Sequence, residues 1–314
     1  MKKKFFILLS ALSLVFLLSL LGGPSGFFAP ITIIRSIRLP RTILGLLVGG
    51  MLGVSGASLQ GVFNNRLVDP YFLGSATGGV FFLAFFSFFF PISIFLRPLV
   101  GFAGSFITML VVYLLASKFR ETELHLVLSG IAVNFLLSGG IMLIMILSKR
   151  PLSEIIYSIM GNLGFIFTRE SIFVGIVFLF IALGAGTLLF LKHRELDIAS
   201  FEKETVKTLG IDFRKLLTQI FFLTSIITGI SVSFAGSISF VGLIVPQISR
   251  VLFGERHINV LPASFLLGGL VLLLSDIPAR MLFPFELPLS VVTSFIGVPF
   301  FIYIMRKGYE ISGT

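Results

Sequence analysis

Apolar runs of about twenty residues follow one another along nearly the whole chain, and nothing else in the sequence limits its fold as much. A helix of roughly 20 residues crosses a ~30 Å hydrocarbon core, and in lipid each spanning segment must satisfy its own backbone hydrogen bonds. The runs predict an all-α polytopic membrane protein of about ten transmembrane helices, at 5–22, 41–62, 70–90, 94–117, 124–148, 170–192, 214–234, 237–253, 259–282 and 287–305. They are continuous, with no alternation of period two, which excludes a porin-like barrel. Charged residues make up 12% of the chain, about half the share usual in a soluble domain. The whole of 1–314 reads as one transmembrane domain.

Ten spans place both termini on one side. With the N-terminus cytoplasmic, sixteen of the 24 Lys and Arg residues fall inside and eight outside, which agrees with the positive-inside rule. The first segment, MKKKFFILLSALSLVFLLSLLGGPSG, also has the makeup of a cleavable signal peptide. Its removal would leave nine spans and spoil the charge bias, so it is read as a span. The chain has no Cys, hence no lipoprotein anchor, disulfide or thiolate ligand.

No G-x-x-x-x-G-K-[ST] phosphate loop occurs, so an ATPase would have to be a separate polypeptide. His125, His193 and His257 are scattered and read as solvated loop or helix-end residues; neither a metal site nor a cofactor is expected. Gly45, Gly49, Gly53 and Ala57 recur at four-residue spacing, a stripe that lets another helix approach closely, and Gly74 and Gly78 repeat the device. Within the spans only Asp276 and Arg280 carry charge deep in apolar sequence. They stand at the spacing of an intrahelical pair, with Pro278 between them. A carrier driven by an ion gradient would need more mid-span carboxylates than this.

The segment AGSISFVGLIVPQISRVLFGERHINVLPASFLLGGLVLLLSDIPARMLFPFELPLSVVTSFIGVPFFIY at 235–303, and RLPRTILGLLVGGMLGVSGASLQGVFNNRLVDPYFLGSATGG at 38–79, closely resemble the membrane-spanning permease subunits of ABC importers for ferric siderophores, haem and cobalamin. The resemblance implies a homodimer in a cytoplasmic (inner) membrane of a bacterium or archaeon, two ATP-binding cassette ATPases and one solute-binding protein. Of the residues matching family motifs, Arg38 and Arg41 of R-L-P-R and Arg280 of D-x-x-A-R are implied to pair with glutamates of that binding protein. Without the resemblance they read as interfacial anchors on a basic outer mouth. The second span, with Gly45, Gly49, Gly53 and Ala57, is implied to run beside the translocation path.

The one long polar link, 192–215, carries mixed charge on a pattern of apolar positions that suggests short amphipathic helices. The resemblance makes 193–213 a cytoplasmic coupling loop seated on the ATPase, with Ala199, Val206, Leu209 and Gly210 as contact positions. It also makes Met160 and Gly161, in the external segment 149–170, part of a gating element. Two departures from the family pattern stand out. Asn64 to Pro70 lacks a usual proline, and Gln247 stands where a His is common after Pro246. The alternative reading is a secondary carrier driven by an ion gradient.

Overall fold

A computed structural model describes residues 1–23, 26, 29–118, 123–148, 159–201, 206 and 208–312, the side chains of Arg169 and 303–312 excepted. The described residues form helices and connecting turns, with no strand among them. In chain order the helices are α1 (Lys2–Leu21), α2 (Ile31–Val62), α3 (Ser75–Phe89), α4 (Arg97–Ser117), α5 (Glu123–Leu147), α6 (Arg169–Leu191), α7 (His193–Ala199), α8 (Phe213–Ala235), α9 (Val241–Phe253), α10 (His257–Met281) and α11 (Leu289–Ser312).

Seven of these are long and apolar enough to cross a bilayer: α1, α2, α4, α5, α6, α8 and α10. Three more, α3, α9 and the Leu289–Ile302 stretch of α11, are apolar but shorter. The shortening has local causes. The expected span 70–90 opens with a 3-10 turn at Pro70–Leu73 and then Gly74 at φ +84°, so α3 begins only at Ser75. The expected span 237–253 is unwound up to Phe240, which holds φ +69°, and α9 begins at Val241. The second span behaves in the opposite way. Pro40 is the second residue of the α-helical stretch that begins at Leu39, and a π turn at Ile34–Arg38 directly before it carries the helix back to Ile31.

Caps mark several ends. Thr168 and Ser171 form a reciprocal capping box at α6, and Asp212 accepts the Lys215 amide at 3.1 Å to start α8. The pivot of the bundle is α2, buried almost throughout from Leu44 to Val62. Its glycines make that possible. A Cβ on Gly49 would collide with the Gly268 carbonyl of α10, one on Gly53 with the Ser264 carbonyl, and one on Gly56 with the Gly242 carbonyl of α9. Backbone contact of this kind replaces the hydrophobic drive that lipid cannot supply. By contrast α5 and α6 turn wide apolar faces outward, among them Phe135, Leu136, Ile146, Phe173 and Phe180.

Candidate functional site

Two polar clusters sit at opposite ends of α2. At 1.5 Å per residue, Arg41 and Gln60 are roughly 29 Å apart along it, about one hydrocarbon thickness. Each cluster joins residues that are far apart in sequence.

At the first end, Arg38, Arg41 and Arg280 are only 3%, 8% and 3% exposed, and Asp276 is fully buried. Arg41 donates from Nε and Nη2 to Asp276 Oδ1 at 3.0 and 2.8 Å, and from Nη1 to Glu286 Oε1 at 2.8 Å. Arg280 Nη2 donates to Ser19 O and Oγ at 2.6 and 2.9 Å, while its Nε lies 3.3 Å from Asp276 Oδ2. Arg38 donates to the carbonyls of Leu20, Leu21 and Gly26. Ser19 Oγ also shares a 2.9 Å hydrogen bond with Thr42 Oγ1. Two of the three arginines therefore hold the C-terminal carbonyls of α1, where a helix end favours positive charge. The local Asp276–Arg280 pair expected from spacing is present. The sequence did not reveal that Asp276 serves Arg41 more closely, because 235 positions separate them.

This burial corrects the picture of an open basic mouth at these positions. The guanidinium groups lie inside the bundle with internal acceptors, because an unpaired charge there would be costly. Glu286, whose side chain is 37% exposed, covers the Nη1 side of Arg41.

At the opposite end, Gln60 Oε1 accepts from Arg250 Nη1 at 2.7 Å and from Gln247 Nε2 at 3.1 Å. Gln247 also donates to the Arg66 carbonyl at 2.8 Å, so it ties α9 to the turn after α2. Asp69 in that turn is buried, and its carboxylate accepts the Tyr71 amide at 2.8 Å. Burial raises its pKa to about 6, against the opposing effect of that hydrogen bond.

His257 overturns the expectation of a solvated residue. It is buried at the start of α10, and both its N–H at 2.8 Å and its Nδ1 at 2.7 Å donate to Asp197 Oδ1 on α7. Burial acts against the Asp197 carboxylate, yet the His257 bonds outweigh it and hold its pKa below the usual carboxylate value. His193 bonds the Phe190 carbonyl at 3.0 Å. Within the expected coupling positions, Ala199 and Val206 are buried, Leu209 is exposed and Gly210 takes φ +78°.

Of the expected gating segment, 149–158 lies outside the described residues. Gly161, at φ +75°, accepts the Leu289 amide at 3.0 Å, and Asn162 donates to the Ala235 carbonyl at 2.7 Å. This stitches the segment to the ends of α8 and α11. Beside it a cavity of about 660 Å³ is lined by Met160, Ser239, Ser290, Ser294 and Phe295, among others. No cluster of His, Asp and Glu suited to a metal occurs among the described residues.

A family model described as the FecCD transport family matches residues 5–307. Curated relatives include the Fe(3+)-citrate import system permease protein YfmD of Bacillus subtilis, 35% identical over 88% of this chain and 82% of that protein. The cobalamin import system permease protein BtuC of Halobacterium salinarum is 36% identical over 91% and 77%. The molybdate import system permease protein MolB of Haemophilus influenzae is 34% identical over 88% and 82%. Among solved structures, a protein described as a metal-chelate type ABC transporter in an inward-facing conformation matches with a TM-score of 0.87 at 29% identity, covering 98% of this chain and 100% of that one. PsaBC from Streptococcus pneumoniae matches with a TM-score of 0.59 at 14% identity, over 87% and 93%, a likeness of fold alone.

Proposed function

This chain belongs to the FecCD transport family, and from that premise we propose that it is the membrane-spanning permease subunit of an ATP-driven importer whose cargo is a metal chelate of the siderophore, haem or cobalamin class. It is a transport subunit and not an enzyme; ATP hydrolysis lies in separate ATPase subunits. The observation that carries the reading is near end-to-end similarity to permeases of import systems, whose named cargoes are ferric citrate, cobalamin and molybdate. Those cargoes are chemically diverse, so the proposal commits to the chelate class and not to one molecule.

In this proposal the three shorter apolar helices join the seven long ones as ten spans, with both termini cytoplasmic. Two copies form a homodimer served by two ATPases and one solute-binding protein. The path runs along the two-fold axis, with the cavity beside Met160 and Gly161 on its wall. The α7 region, with Ala199, Val206, Leu209 and Gly210, meets the ATPase, and the Asp197–His257 bond carries its movement to α10. Arg38, Arg41 and Arg280 receive the binding protein's carboxylates, and Glu286 must yield its place on Arg41 for this to occur. The Arg fork suits such an exchange, because Nη1 can change partners while Nε and Nη2 stay on Asp276.

The test is reconstitution in proteoliposomes with a partner ATPase and a partner binding protein. Uptake of labelled ferric siderophore, haem or cobalamin should require ATP and both partners, with no ion gradient. If the purified chain alone concentrated any of them on an imposed proton or sodium gradient, the secondary-carrier reading would replace this one.

A further inference from the structure

A cavity of about 820 Å³ with a polar lining lies on the Gln60 side of the bundle. It lies between α7, the end of α2 and the α9–α10 turn. Arg66, Arg194, Arg250 and Arg256 line it, against two carboxylates, Asp197 and Glu255. With the histidines neutral, four positive and two negative charges leave the lining at plus two.

The two acids already have partners. Asp197 is bound to His257, and Glu255 lies 3.1 Å from Arg66 and 3.5 Å from Arg250. The side chains of Arg194 and Arg256 have no hydrogen-bond or ion-pair partner among the described residues. They approach the cavity from different elements, Arg194 from α7 and Arg256 from the turn before α10. The same lining includes exposed apolar side chains, Phe201 and Ile258. A cationic chamber with an apolar rim, placed where membrane helices end, has the chemistry of a phospholipid boundary. A soluble anion would leave that rim in water.

We propose that this cavity binds the phosphodiester headgroup of an anionic phospholipid, with Arg194 and Arg256 as its principal cationic contacts and an acyl chain running over Ile258. Basic pockets between membrane helices recognise such headgroups through both charge and hydrogen bonds. The inference rests on the bundle's place in a membrane and not on the importer reading, so either can fail without the other. If both hold, the lipid sits against α7, the element proposed to meet the ATPase.

The experiment is native mass spectrometry of the full chain, purified and delipidated in detergent, titrated with dioleoylphosphatidylglycerol, dioleoylphosphatidylcholine or glycerol 1-phosphate. Phosphatidylglycerol should bind at least about tenfold tighter than phosphatidylcholine, and the double variant R194Q/R256Q should lose about tenfold of that affinity, each arginine near an anionic headgroup contributing measurably. Both side chains are exposed, so the variant should keep the wild-type melting temperature within a few degrees. A single variant, R194Q, supplies the same comparison if the double variant does not fold. Equal binding of the two lipids, or undiminished phosphatidylglycerol binding by a folded variant, would overturn the proposal. Glycerol 1-phosphate binding as tightly as the lipid would overturn it in favour of a soluble-anion site.

Discussion

At the scale of single residues, the most consequential group is Asp276, one carboxylate between two buried arginines. Removing a buried partner leaves an uncompensated charge, an effect of about 3–5 kcal/mol. Asp276→Leu should therefore lower the melting temperature in detergent sharply, and Asp276→Asn, which keeps an acceptor for Arg41, should do so less. Equal stability of all three proteins would show that the cluster is solvated. Asp69 gives a prediction in pH. Its folded pKa of about 6 exceeds the ordinary aspartate value of 3.8, so folding favours the protonated form. The associated stability is fully present below about 4 and is lost as pH rises through about 6. Asp69→Asn should then gain stability relative to the natural chain between pH 4 and 7, with little difference below 4, as thermal melts across that range would reveal. His257 and Gln247 show what a single sequence hides. Neither stands in a motif that names Asp197 or Gln60 as its partner, since those lie 60 and 187 positions away.

At the scale of elements, glycine placement decides how closely α2, α9 and α10 approach. The four-residue stripe Gly45, Gly49, Gly53 and Ala57 was legible, and the structure sets Gly49 and Gly53 against the α10 backbone. Gly56 lies outside that stripe, yet its α-carbon faces the Gly242 carbonyl, a meeting only the fold could reveal. Gly56→Val should reduce the yield of monodisperse protein on size exclusion to a small fraction of the natural level. Gly139→Ala, where nothing lies within 4 Å, should leave it unchanged. Substitutions of similar mildness at both sites would mean that the α2–α9 contact is loose. Helix boundaries were less legible. Periodicity and hydropathy do not register Gly74 or Phe240, whose positive φ angles delay the start of a helix inside an otherwise apolar run.

At the scale of the whole molecule, the α7–α10 tie is where coupling can be tested. Asp197 has a lowered pKa, so its carboxylate stays ionised, and available as the acceptor for His257, across the ordinary carboxylate range. Asp197→Ala in the reconstituted importer should lower substrate moved per ATP hydrolysed several-fold while leaving hydrolysis itself running. An unchanged ratio would place the transmission elsewhere. The sequence by itself determined the class of molecule: apolar runs long enough for lipid require helices, and the order of glycines, prolines and arginines in 38–79 and 235–303 carried the resemblance. Tertiary structure alone decided which charges face each other and how deep they lie. Hydropathy is a property of each segment, whereas the pairing of Arg41 with Asp276, or of His257 with Asp197, depends on helices distant in sequence being brought together by packing. For that reason Arg38, Arg41 and Arg280 could be singled out from the chain, but their burial could not.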